Sequence, residues 1–152
     1  MRKVRWAVIS MCLVSALAGC GDSASAAEQQ QSVSDTELLM KIDEEAVAVV
    51  WEDNESVAAL SELLREQPMS IQMSMYGGFE QVGSFGTSLP RDDKQTTTQA
   101  GDIVLYSGNQ MVVFYGSNSW AYTRLGRITG KSAEELEELL GGGDVTVTLE
   151  LP

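Results

Sequence analysis

Apolar and polar residues alternate along this chain with a period of two in several stretches, and with a period near 3.6 in two others. Met69, Ile71, Met73 and Met75 alternate with Ser70, Gln72 and Ser74, which predicts a strand with one buried face. The spacing makes those methionines core residues and not a metal-binding box. Val145, Val147, Leu149 and Leu151 alternate with Thr146, Thr148 and Glu150 in a final strand. The run Ala46 to Trp51 is rich in valine and ends at Glu52-Asp53-Asn54, as a strand does. Ile103–Tyr106 and Gln110–Tyr115 flank Ser107-Gly108-Asn109, a hairpin in which Gly108 and Asn109 are expected to supply positive φ. A turn over Gly116–Ser119 leads into a strand over Ala121–Ile128, with Gly126 marking a bulge.

Two helices complete the pattern. Val57, Leu60 and Leu64 recur at helical spacing, with Leu63 alongside, behind a cap at Asp53 or Asn54 and ahead of Pro68. Ser132-Ala133-Glu134-Glu135 reads as a capping box, followed by Leu136, Leu139 and Leu140 and stopped by Gly141–Gly143. Tyr76–Pro90 (YGGFEQVGSFGTSLP) holds four glycines and three aromatics and reads as a long loop, a place where function gathers. The polar stretch Arg91–Gln99 reads as a connection. About six strands and two short helices predict a mainly β fold, a small closed antiparallel barrel with helices at its ends.

The amino-terminal segment has a different character. Arg2, Lys3 and Arg5 precede an apolar run from Trp6 to Ala18, too short to span a bilayer comfortably, which ends in Leu17-Ala18-Gly19-Cys20. This resembles a bacterial lipobox. It predicts a signal peptide over residues 1–19 and lipidation of Cys20 by diacylglycerol, with palmitate-type acylation of the freed amine. One acyl chain anchors only marginally, and two or three hold firmly. Residues 20–43 are then the lipidated cysteine and a tether. Gly21–Ser34 is small, polar and free of aromatics, too poor in apolar surface to order itself, while Asp35–Asp43 is either one helical turn or the approach to the first strand. Residues 44–152 form the folded domain. Cys12 leaves with the leader and Cys20 is occupied by lipid, so the processed chain has no disulfide.

Charge narrows the field of functions. The chain has ten basic and 22 acidic residues, a net charge of −12. Three of the basic ones precede Cys20 and none of the acidic ones does, so processing leaves seven against 22, or −15. Such a surface repels nucleic-acid phosphates and anionic lipid headgroups. Histidine is absent, which excludes Ser-His-Asp and Cys-His catalysis. Asp92-Asp93 and the Glu134–Glu138 run lack the alternating oxygen ligands of a calcium loop. Gly141–Gly143 follows a helix and does not open one, so it is no phosphate loop. Neither a metal nor a cofactor is expected.

Several segments together resemble the bacterial cyclophilin-like family. They are Tyr76-Gly77-Gly78-Phe79-Glu80, Ser88-Leu89-Pro90, Ala100–Tyr106 (AGDIVLY), Phe114-Tyr115-Gly116 and Tyr122–Ile128 (YTRLGRI). The resemblance runs from about Ala46 to Leu151 and implies a closed cyclophilin-like β-barrel. Prolyl isomerases of the wider fold set an arginine beside an apolar proline pocket, with glutamine, phenylalanine, tryptophan and histidine around it. The histidine and the motif that carries that arginine are both missing here.

The candidate ligand site is therefore a groove of aromatics. Tyr76, Phe79, Phe85, Phe114, Tyr115, Trp120 and Tyr122 form its walls, with Gln81 and Arg124 as polar contacts. Arg124 and Arg127 lie three steps apart on one strand. Strand alternation points them to opposite faces, so each is expected to pair with its own carboxylate and not to share an anion. The leading expectation is a non-catalytic module that binds a peptide or small molecule, tethered to a bacterial membrane on its periplasmic or outer side. A prolyl isomerase for exported proteins is the alternative, and an accessory subunit of another exported protein the third.

Overall fold

The computed structural model describes residues 37–152, so the leader, Cys20 and most of the tether lie outside the described residues. Nine strands and two helices follow in order: β1 Leu39–Ile42, β2 Glu45–Trp51, α1 Glu55–Leu64, β3 Met69–Tyr76, β4 Glu80–Ser84, β5 Lys94–Thr97, β6 Asp102–Tyr106, β7 Gln110–Phe114, β8 Ser119–Thr129, α2 Ala133–Leu140 and β9 Val145–Glu150. All pairings are antiparallel. Eight strands close on themselves in the order β1-β2-β8-β6-β7-β4-β3-β9, the ring being sealed by β2 on β8 and β9 on β1. β5 stands outside the ring, paired only with the first residues of β8.

The barrel interior is filled by alternate residues of each strand. Met40, Ile42, Ile71, Met73, Ile103, Leu105, Met111, Val113, Leu125, Val147 and Leu149 are buried there. The helices cover this core with Leu60 and Leu64 of α1 and Leu136 and Leu140 of α2. Truncating one such leucine to alanine costs roughly 2–5 kcal/mol, because the packed wall does not collapse into the gap. The helix caps are local. Asn54 accepts from Val57 N at 3.0 Å and donates to Arg124 O at 2.8 Å, which ties α1 to β8. Ser132 and Glu135 exchange the two bonds of a capping box.

Three strands depart from the sequence reading. Residues 39–42, placed in the tether, form β1, with Leu38, Met40 and Ile42 buried on one face, so the barrel begins ahead of residue 44. Within the supposed long loop Tyr76–Pro90, residues 80–84 form β4, in the middle of the wall between β3 and β7. Gly83 does not break that strand. A Cβ there would stand 2.5 Å from Met73 Sδ and 2.6 Å from Ile71 Cγ2, so only glycine leaves room for the core side chains of the neighbouring β3. The third is β5, polar because it pairs on one edge and buries no apolar face.

Two local features also differ. In the β6–β7 turn, positive φ falls on Ser107 and Gly108 and not on Asn109. In β8 a bulge does occur, but Leu125 is its extra residue: Ile103 pairs with Gly126 while Val104 pairs with Arg124. Gly126 has another role, since a Cβ on it would lie 2.7 Å from Val50 O, where β2 closes the barrel.

Candidate functional site

The outer surface of the wall carries a second, smaller core. On β4, β6, β7 and β8 the residues that point away from the barrel interior include Val104, Val112, Phe114 and Tyr122, with Phe79 and Val82 packed against them. Register places them side by side, with Glu80 opposite Phe114 and Val82 opposite Val112. Tyr122 is the keystone of this layer. Its ring meets Phe114 edge-on at 5.7 Å and Tyr106 edge-on at 6.1 Å, and its hydroxyl accepts from Asn118 Nδ2 at 3.0 Å.

Over this layer lies a cavity of about 370 Å³, walled by Tyr76, Glu80, Val82, Tyr106, Gln110, Val112, Asn118, Trp120 and Tyr122. Its size suits a small molecule. Tyr76 and Trp120 are large aromatics left 68% and 58% exposed. Singly, exposed rings need no explanation; here two flank one cavity.

Glu80 is the unusual member. It is 6% exposed, and its Oε2 is buried with no hydrogen-bond partner among the described residues. Burial pushes its carboxyl up to about 7 from the ordinary 4.5, because the charged form has lost its water. Burial also raises the Tyr122 hydroxyl, and the neighbouring Glu80 carboxylate raises it further. A buried acceptor without a donor is costly, and natural structures keep few of them.

The structure divides the residues singled out from sequence. Tyr76, Trp120 and Tyr122 line the cavity, Phe114 lies beneath it, and Phe79 packs into the same outer layer. Phe85 and Tyr115 belong to the main core. Gln81 turns inward, and its Nε2 donates to Leu140 O and Gly143 O at 2.6 Å each, holding the end of α2. Arg124 lies beyond Tyr122, on a separate polar cleft of about 720 Å³ bounded also by Glu52, Asn54, Pro90, Arg91 and Thr123.

The two arginines share one carboxylate after all. Arg124 Nη2 and Arg127 Nη1 both donate to Asp102 Oδ1 at 3.0 Å, and Arg124 Nε reaches Glu52 at 3.3 Å. The bulge at Leu125 adds one residue between them, which cancels the odd spacing and turns both side chains to the outer face. Pairing with carboxylates holds as expected; separate faces do not.

Glu80, Tyr106, Gln110 and Asn118 did not stand out in the sequence. Glu80 was hidden because its stretch read as loop. Taken as a strand, Glu80 and Val82 share one face by period two.

The cyclophilin-like family model matches residues 40–150. The chain belongs to the cyclophilin-like family. Among solved structures, this cyclophilin-like chain is similar to McbB in complex with tryptophan, at a TM-score of 0.52 and 12% identity. The likeness covers 75% of this chain and 44% of the other, so the chain spans under half the length of that protein. At that identity the likeness shows the barrel alone. No curated protein matches. Among the described residues of this cyclophilin-like barrel no arginine lines the aromatic cavity, and Arg124 is engaged by Asp102 and Glu52.

Proposed function

We propose that this protein is a non-catalytic binding module, held at the outside of a bacterial membrane by lipid on Cys20, which takes a small molecule or a short peptide segment in the outer aromatic cavity. One observation carries the reading: a cavity of about 370 Å³ joins exposed aromatic rings to a buried carboxyl whose Oε2 has no partner among the described residues. A barrel needs neither for stability. The inner core is complete without them, and the outer layer seals itself around Phe114 and Tyr122. The anchor rests on the leader charge, the length of the apolar run and the Leu17-Ala18-Gly19-Cys20 ending.

Two measurements test it. Chemical-shift mapping with mixtures of small molecules and peptides is expected to move the Trp120 indole and the Tyr106 and Tyr122 rings. A spectrum that moves only at the polar cleft near Arg91, or nowhere, ends the reading. Mass spectrometry of native material is expected to find Cys20 as the first residue, carrying diacylglycerol and an acylated amine. A bare thiol or a retained leader removes the membrane setting and leaves the cavity untouched.

A further inference from the structure

The carboxyl and the rings around it specify a ligand chemistry. Glu80 brings to the wall a carboxyl whose buried Oε2 has no donor among the described residues. A neutral hydroxyl from a ligand would satisfy it, but the surroundings favour more than that. Tyr76, Tyr106, Trp120 and Tyr122 turn aromatic surface to the same space, and the negative face of an aromatic ring attracts a cation. Gln110 and Asn118 are the remaining polar side chains of the wall, both neutral, and among the described residues no lysine or arginine lines it. Nothing in the cavity therefore competes for the carboxylate or repels a positive charge. The net charge of −12 surrounds the site with a field that draws cations in and turns anions away.

We propose that the outer cavity binds a small protonated alkylamine, its N–H donating to the Glu80 carboxylate and its alkyl chain lying against Trp120 and the tyrosines. The inference rests on the reading of this cavity as a binding site and names the ligand class it takes. An ammonium that carries N–H brings that carboxylate a hydrogen-bond donor and a countercharge at once, which neither a neutral alcohol nor a carboxylic acid does. The cavity holds a molecule of metabolite size and not a folded partner.

Occupancy should follow pH. The carboxyl titrates near neutrality, and a simple alkylamine remains protonated well above it. The other titratable groups facing Glu80 are phenols: Tyr76 from β3, Tyr106 from β6, Tyr122 from β8, and Tyr115 beyond the end of β7, with Glu137 of α2 near Tyr115. Burial raises the Tyr115 and Tyr122 hydroxyls, so through neutrality the ionisation of Glu80 governs the site.

The test titrates the full-length protein with n-butylammonium chloride, with 1-butanol and with sodium butyrate, followed by the Trp120 indole resonance and by calorimetry. Butylammonium is expected to bind, to bind about ten-fold tighter at about pH 8 than at about pH 6, and to outbind butanol and butyrate by about ten-fold or more. Glu80→Gln is expected to lose about ten-fold in butylammonium affinity, together with its pH dependence. Trp120→Ala, at a largely exposed position of the cavity wall, is expected to lose about three-fold. If butanol or butyrate moves the Trp120 indole and butylammonium does not, the cavity is a binding site and the amine assignment is overturned. The same follows if natively folded Glu80→Gln binds butylammonium as tightly as the parent protein. If none of the three probes moves the indole, the amine assignment falls together with the small-ligand reading of the cavity.

Discussion

Two neighbouring residues of β4 show how strand alternation assigns work. Glu80 points outward into the cavity and Gln81 points inward to the end of α2. Glu80 carries a stability cost that depends on pH. Its folded carboxyl titrates at about 7, above the ordinary 4.5, so between those values the native state binds more protons than the unfolded chain. Its contribution to stability is therefore fully present below the lower value, falls as pH rises through the window, and is lost above about 7. Glu80→Gln removes that loss. Urea unfolding of the variant is expected to match the parent near pH 4.5 and to exceed it by about 1–2 kcal/mol near pH 8. An equal difference at both pH values would mean the carboxyl is not desolvated. Gln81 does the opposite kind of work. Its amide satisfies two carbonyls that the end of α2 leaves free. Gln81→Ala is expected to cost about 2 kcal/mol in the unfolding free energy and to speed hydrogen exchange in the last turn of α2. Neither role was visible while residues 76–90 read as loop, because the face a side chain takes is undefined until its strand is known.

At the scale of the element, β8 carries the most information. It pairs with β5 through Ser119–Tyr122, with β6 through Thr123–Arg127 and with β2 through Gly126–Thr129. Its bulge at Leu125 is a single extra residue with two consequences. Leu125 stays in the core while Arg124 and Arg127 both face outward to Asp102. Asp102 is nearly buried, and beyond the arginines it accepts from Gln99 N at 2.9 Å, so the pair of guanidinium groups and one backbone amide surround it. Asp102→Ala leaves the arginines without that partner and releases the 99–102 turn. The expected cost is about 2–3 kcal/mol, read by thermal or urea unfolding, with β6–β8 amides exchanging faster. An unchanged midpoint would show that the arginines are held by Glu52 and solvent alone. Sequence placed a bulge in this strand by the presence of Gly126, one residue away from where it falls. The reason is that two constraints meet at adjacent positions: the bulge redirects the arginines, and the glycine admits β2.

At the scale of the molecule, closure decides the fold. The ring has two seams far apart in sequence, β1 on β9 and β2 on β8, and the second passes over Gly126 with no room for a Cβ. Gly126→Val is expected to part β2 from β8, exposing the core and abolishing cooperative unfolding, as measured by calorimetry and by loss of the slowest-exchanging amides. A variant that unfolds with the parent's midpoint would mean the seam is dispensable. The alternation in β3 and β9, the capping box at Ser132, the cap at Asn54 and the hairpin at residues 107–109 were all readable in the chain, because each depends on neighbours within a few residues. The mainly β class and the closed barrel follow from those elements in order, while the likeness to the cyclophilin-like family was carried by segments such as Tyr76–Glu80, Ala100–Tyr106 and Tyr122–Ile128. What the chain alone did not decide was which polar stretches would be strands and which side of each strand would face out. β5 has no apolar face to betray it, β4 has a glycine where the core side chains of neighbouring β3 press in, and Glu80 acquires its raised carboxyl only from burial in the folded wall. Burial and pairing are properties of residues distant in sequence, and a local pattern carries them only when one face of an element is apolar.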